Sequence, residues 1–557
     1  MAPGGSESLL AGAHDMGASV EKMPAEKPVR ALRNRIRLAF AAAVAVAGGA
    51  FVLWVQSAAG APASAFGGFP DEPAHYIGGV LMRDFLRNFG FRDPVRYAVQ
   101  YYSHTPYFAI GVWPPLYYVL EGIWMLLFGI GRSSVLWLNV VAGAALSMMV
   151  FVFARPLYGS IAGAAAGLAV LAVPVVQWSA CLVMVDLACN TLALAALFLW
   201  GCYLDQRRWT WSLLFGVVLS LAVLTKTSAF YALFVPPAMI ALRRDWRLLA
   251  GKSFWIAPVA FALLFGPWLL LSRRVLLLNF VGLQGYSPVE VASGFAFRLW
   301  EQCGFLLLLA LPRIVVAIAR PRATPAAELC LYTAFLALPF SIFLARVAVQ
   351  ERLFIAAYAA VAVAAFGSVR WIVSSLRLPQ NVAAAATALL AAAFLWSHAL
   401  EFRFPPANDL RPVVSAIKDS EGPASGSALV PSRLEGPWIA EFVQADGGGG
   451  RRTLVRPTKF LASESWNGTD YQIRYSSVQD LRAVFSDVPV RYIIIDEKAK
   501  EYPHDRTLKA FLRETAGTWR QRLSSGRFSV YENTAWSPQS EERVSAAMRR
   551  FASEMFR

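Results

Sequence analysis

Residues 112–131 read VWPPLYYVLEGIWMLLFGIG, and whether this stretch crosses a bilayer decides the topology of everything around it. It is apolar and close to the roughly 20 residues that a transmembrane helix needs. It also opens on Pro114-Pro115 and carries Glu121. A helix lying in the membrane interface accommodates all three, because its polar side stays among the headgroups.

The rest of the chain is of the membrane class. Hydrophobic residues make up 57% and charged residues 16%, against about 45–50% and 25% in a soluble domain. Apolar segments at 38–57, 133–154, 160–178, 184–203, 210–225, 227–242, 253–272, 304–320, 327–345, 353–371 and 382–399 predict about eleven transmembrane helices. If 112–131 stays out of the bilayer, the basic turns ARPLYG, LDQRRW, LRRDWR, ARPR and SVRW…SLR all fall on one side. Positive loops mark the cytoplasmic face. Asp186, Lys226, Arg273 and Glu351-Arg352 then fall on the other.

This parity divides the chain into three parts. Residues 1–37, ending in the basic run KPVRALRNRIR (27–37), are expected to be a disordered cytoplasmic leader. Residues 38–401 form the transmembrane domain, with 58–131 as one large outer loop. From 402 to 557 the apolar runs shorten to strand length, as in SALVP, RTLVRP, VRYIIID and RFSVYEN, with helical stretches between them. Strands alternating with helices predict an α/β domain, which parity places outside the membrane. The protein is therefore expected to be multi-pass in the inner (plasma) membrane, with its N-terminus cytoplasmic and its C-terminal domain periplasmic.

A net charge of +16 and a pI of about 9.8 follow from the retained basic loops, so the bilayer and not nucleic acid is the expected partner. The five cysteines lie in or beside apolar runs and form no CxxC pair, which gives no disulfide framework or zinc site.

Within the outer loop, FPDEPAHY (69–76) sets Asp71 beside Glu72, with His75 and Tyr76 one turn on. The plain reading is a helix start, Asp71 capping and Glu72 complementing the dipole. The chemical reading is a general base, a carboxylate near the interface tuned to accept a hydroxyl proton. Asp71 and His75 at i, i+4 would also suit a divalent cation. Asp186, in VMVDLACN, is an ionisable group at membrane depth, where such groups are costly. Lys226, Arg273, Arg274 and Arg352 lie at outer helix ends, where positive charge is disfavoured, and each calls for an anion such as a lipid phosphate. Glu351 is a candidate partner for Arg352. No Walker loop, Rossmann glycine pattern, GxSxG or HExxH is present, which argues against nucleotide-driven chemistry.

FPDEPAHY, WPPLYYVL, MVDLACNTLALAALFL, LAVLTKTSAF, FGPWLLLS and ERLFIAAYAAVAVAAF follow one another in that order. Together they resemble the GT-C glycosyltransferases of the protein O-mannosyltransferase and lipid A aminoarabinose transferase superfamily, including the RgtA/B/C/D-like enzymes. Two positions depart from that pattern: Trp113 stands where His often precedes the Pro-Pro pair, and Lys226-Thr227 replaces Lys-Gly. The resemblance implies an inverting transfer of a sugar from a polyprenyl-phosphate carrier to an envelope acceptor outside the cytoplasm. On that reading Asp71 is the base, Glu72 orients it, and Asp186 positions a substrate. Lys226, Arg273 and Arg352 neutralise the leaving phosphate, with His75, Tyr76, Arg274 and Glu351 contributing to substrate binding. A secondary transporter or flippase is the alternative, and would call for internal repeats and broken helices near the midplane; no internal repeat is evident. A non-catalytic scaffold is a third reading.

Overall fold

The structure is a computed structural model. It describes residues 26–557 except 109–111, 281–285, 399, 401, 406–409, 422–424, 465–469 and 556–557. The first helix, Glu26–Ala58, runs without a break through the basic segment 27–37. The expected leader is thus helical from residue 26, and its first 25 residues lie outside the described part.

Each of the eleven apolar segments is helical. Among the described residues, seven helices are long and apolar enough to cross a membrane, or eight if the bent pair Ser160–Ala172 and Pro174–Ala180 is one span. Trp209–Thr225, Thr227–Arg243 and Phe305–Ala319 are apolar but shorter. The segment expected as one span at 160–178 bends by 69°, because Pro174 cannot continue the hydrogen-bond ladder of the preceding turns. Leu116–Phe128 is a helix of 13 residues, about 20 Å long at 1.5 Å per residue, too short to span. Of the 18-residue apolar window within Glu351–Ser375, 94% is buried. Its run AAYAAVAVAAFG presents small side chains on every face, which lets neighbouring helices approach closely.

Beyond residue 410 the chain builds a small α/β unit. The strands are β1 (Ala428–Leu429), β2 (Leu454–Val455), β3 (Ala462–Ser463), β4 (Gln472–Ile473), β5 (Tyr492–Asp496), β6 (Trp519–Ser524) and β7 (Phe528–Asn533). Five of them form one sheet in the order β2-β1-β5-β7-β6, and β3 pairs with β4 apart from it. β1 is parallel to β2 and β5, while β7 is antiparallel to β5 and β6.

Strand alternation sends Ile493 and Ile495 to one face, where they pack with Leu508, Phe511 and Phe485. Tyr492 and Ile494 go to the other face and join Trp438, Phe442 and Phe528. That second core also contains Phe66, Tyr76, Ile77, Val80 and Tyr101 of the segment 58–131. One face of the C-terminal sheet and this segment therefore share a hydrophobic core. Polar contacts reinforce the seam. Arg83 Nη2 donates to the Gly447 carbonyl (3.1 Å), and the Gly449 amide donates to Asp84 Oδ2 (3.1 Å). Gly447 and Gly450 flank this contact at φ +75°, a conformation that glycine adopts without strain.

Candidate active site

The helix Glu72–Arg87 begins at Asp71, with Pro73 in its first turn. Asp71 makes no side-chain capping bond. Its carboxylate instead accepts from Arg352 Nη2 at 2.9 Å across 281 residues of sequence. About a third of the Asp71 side chain remains exposed (31%). Arg352 is held on three sides: its Nε donates to Gln350 Oε1 (2.8 Å), its guanidinium lies 4.0 Å over the Phe69 ring, and Nη1 stands 3.9 Å from Asp186 Oδ2. Asp186 is 1% exposed and accepts from Lys226 Nζ at 2.6 Å. Asp71, Arg352, Asp186 and Lys226 thus form one alternating chain of charges drawn from four separate segments.

Among the described residues, three buried polar atoms around this chain have no hydrogen-bond partner: Asp186 Oδ2, Arg352 Nη1 and His75 Nε2. An unsatisfied buried polar atom costs about 1–3 kcal/mol, and three in one place mark a site arranged for something else to occupy. His75 places its Nδ1 2.7 Å from the Tyr118 hydroxyl and stacks on Trp113 at 4.3 Å. Burial, together with the Lys226 charge, holds the imidazole well below its ordinary pKa, so it enters the site neutral. Trp113, the departure from the family pattern, is a wall of the site through this stacking.

Glu72 faces another way. Its carboxylate takes Arg132 Nη1 (2.5 Å), the amides of Gly67 (2.9 Å) and Gly68 (3.1 Å), and the amide of Val183 (3.1 Å). It is fully buried, and these bonds tie the outer loop to the segment before Asp186. Tyr76 also points inward, its hydroxyl on the Ile130 carbonyl at 3.0 Å. Glu351 lies at the rim, 3.5 Å from Arg298 Nε. Arg273 is exposed and makes no hydrogen bond or ion pair with the charge chain among the described residues. The Arg274 side chain lies outside the described part. Among the described residues no group of three or more His, Cys, Asp or Glu side chains comes together to hold a metal ion.

Sequence reasoning missed Arg132 and Arg298. Both lie on the side that loop-charge parity expects to face out, where the same charge rule that singled out Lys226 applies, so the signal was present.

A sequence model of the dolichyl-phosphate-mannose-protein mannosyltransferase family matches residues 112–271. Among solved structures, the chain is similar to ArnT from Cupriavidus metallidurans bound to undecaprenyl phosphate: TM-score 0.57 and 16% identity, over 88% of this chain and 98% of that one. It is also similar to an oligosaccharyltransferase from Archaeoglobus fulgidus, with TM-score 0.54 and 12% identity over 89% of this chain and 75% of that one. Archaeal AglB from Archaeoglobus fulgidus, in complex with an inhibitory peptide and a dolichol-phosphate, gives 0.52 and 12% over 89% and 74%. No curated protein sequence matches the chain. The protein thus carries the GT-C fold, a polytopic helical membrane domain with a smaller α/β domain at its C-terminal end.

Proposed function

We infer that the protein is a membrane glycosyltransferase that moves a sugar, with inversion, from a polyprenyl-phosphate carrier to an envelope acceptor outside the cytoplasm. The carrying observation is the exposed edge of Asp71, joined through Arg352 to buried Asp186 and Lys226. Parity of the basic loops puts this site on the outer face, with the N-terminus cytoplasmic and the C-terminal domain periplasmic. The likenesses to proteins solved with undecaprenyl phosphate and dolichol-phosphate support a lipid-phosphate donor.

The chemistry follows from the charges. An acceptor hydroxyl gives its proton to Asp71 while its oxygen attacks the anomeric carbon. The bond from that carbon to the phosphate oxygen breaks, and the polyprenyl phosphate leaves as a dianion. Lys226 and Arg352 stabilise the charge that gathers on the phosphate. Arg352 donates to the Asp71 carboxylate. A bound phosphate draws the guanidinium away and frees the base when it is needed. Asp186 holds Lys226 in place and flanks Arg352. Glu72 anchors the loop that carries Asp71.

The test is genetic and chemical. In a deletion strain, mass spectrometry should find one envelope glycan shortened and a polyprenyl-phosphate sugar accumulated. Wild-type protein should restore the glycan, and Asp71→Asn, expressed and folded equally, should transfer about 10²–10⁴ times more slowly. Full restoration by Asp71→Asn would remove the base from the mechanism and leave the reading without its centre.

A further inference from the structure

Two residues before Asp71 the chain carries Phe69, a side chain to which the proposed chemistry gives no part. FPDE (69–72) folds as a turn. The Glu72 amide donates to the Phe69 carbonyl at 3.1 Å, and Pro70 takes the second position, where its fixed φ suits such a turn. Asp71 follows at φ −78° and ψ −21°, close to the usual third position. The turn brings Phe69 and Asp71 to the same guanidinium. Arg352 lies 4.0 Å over the Phe69 ring while its Nη2 reaches Asp71 Oδ2 at 2.9 Å.

A guanidinium carries all its N–H groups in one plane and none on its faces. A polar neighbour would take one of those groups. An aromatic ring attracts the cation through its face and leaves the edge alone. Around that edge Nε meets Gln350 Oε1 (2.8 Å), Nη2 meets Asp71, and Nη1 stands 3.9 Å from Asp186 Oδ2. Among the described residues Nη1 has no hydrogen-bond partner. The ring thus fixes the plane of the cation and uses none of its donors.

The ring is confined in turn. It meets Trp178, of the helix Pro174–Ala180, edge to face, with centroids 5.5 Å apart and planes at 84°. The two residues before it have room only for glycine. A Cβ on Gly68 would collide with Leu182 and stand 2.8 Å from the Phe404 ring, and one on Gly67 would lie 3.0 Å from Pro437. Their amides are taken by Glu72, at 2.9 and 3.1 Å. Leu182 belongs to the segment before Asp186, and Phe404 and Pro437 lie beyond the change of composition near 402. The segment 67–69 is therefore gripped from both parts of the protein, and its ring meets Arg352.

We propose that Phe69 is a positioning residue for the donor, an aromatic shelf that holds the Arg352 guanidinium in the plane joining Asp71 to Asp186, from which its fork meets the lipid phosphate. The flat face lets the cation turn in its own plane toward that phosphate without leaving the ring. The proposal rests on the glycosyltransferase reading, and its test separates the two. Full-length protein in nanodiscs is titrated with undecaprenyl phosphate, and binding is read by native mass spectrometry alongside thermal unfolding. The proteins compared are wild type, Phe69→Leu, Phe69→Tyr, Arg352→Gln and the double variant Phe69→Leu/Arg352→Gln. Phe69→Leu keeps apolar bulk but removes the ring face, so affinity should fall about tenfold, as for a partly desolvated cation–π contact. Phe69→Tyr should bind like wild type. In the Arg352→Gln background Phe69→Leu should change affinity by less than about twofold, since no cation remains to be oriented. Phe69→Met, which fills the space without a ring, repeats the cycle if Phe69→Leu does not fold. Wild-type affinity in the ringless variant overturns the shelf and spares the enzyme reading. An equal loss in both backgrounds also overturns it, because the ring would then act on the lipid or on loop packing and not through Arg352. Wild-type protein that binds no undecaprenyl phosphate sinks the donor reading and the shelf together.

Discussion

Glu72→Gln separates the two acidic neighbours of the outer loop. The Glu72 carboxylate is 0% exposed and the Arg132 side chain 1%, so the pair is out of reach of water. Removing one member of such a pair costs about 3–5 kcal/mol, because the other charge stays buried without a counter-ion. The amide adds a second fault. Its one oxygen cannot serve Arg132, Gly67, Gly68 and Val183 together, and its NH2 would face donors. Thermal unfolding of purified protein should therefore show a large loss of stability for Glu72→Gln. Transfer per folded molecule at a permissive temperature should remain close to wild type. The double variant Glu72→Gln/Arg132→Gln should cost less than the two single changes added, since no unpaired charge remains. A Glu72→Gln protein that melts like wild type and transfers nothing would refute this reasoning and make Glu72 the base.

Lys226→Gln and Arg352→Gln should each weaken binding of a polyprenyl-phosphate sugar by roughly ten- to a hundredfold, the ~1.5–3 kcal/mol of a charge-assisted contact; unchanged donor affinity in both would return these cations to the interface. Burial pushes the Glu121 carboxyl well above its ordinary value, so the folded chain keeps that proton to higher pH than the unfolded chain. Its contribution therefore erodes stability as pH rises past the ordinary carboxylate range, by about 1.4 kcal/mol per unit. Glu121→Gln and wild type should melt alike near pH 4, and the variant should melt higher at pH 7; parallel melting across that range would show Glu121 ionised and partnered. Reporter fusions after residues 65 and 410 should both report the outer face, and a cytoplasmic signal from either breaks the eleven-crossing parity.

Segment positions were legible because apolar runs must be long to cross a bilayer and their ends carry the charges. Asp71, Asp186, Lys226 and Arg352 could be singled out one by one, each being an ionisable group in a costly place. Their partners could not. Nothing in the spacing says that Asp71 meets Arg352 while Glu72, one peptide away, meets Arg132. A helix start turns successive side chains about 100° apart, and tertiary packing decides which way each one looks. Arg273 and Lys226 looked alike in sequence, as outer cations after apolar runs, yet only Lys226 reaches Asp186. In the tail, strands and helices were readable from run length. The strand order was not, because β1 lies between β2 and β5 through contacts that no local pattern encodes. Across the change of composition near 402, one face of the sheet keeps a core of its own while the other shares one with the segment 58–131.

That shared core sets an order of events during synthesis. Tyr76 and Val80 emerge early, but the residues that cover them, Phe528 and Val530, come roughly 450 residues later. At ~5–20 residues per second, that is about 20–90 s of translation. Throughout this interval one side of the core around Asp71 stays uncovered. A chain cut short before β5 would keep every membrane helix, and its Asp71 loop would still lack that cover. The core around Asp71 is thus completed only by the last quarter of the polypeptide, and premature termination leaves that apolar face exposed.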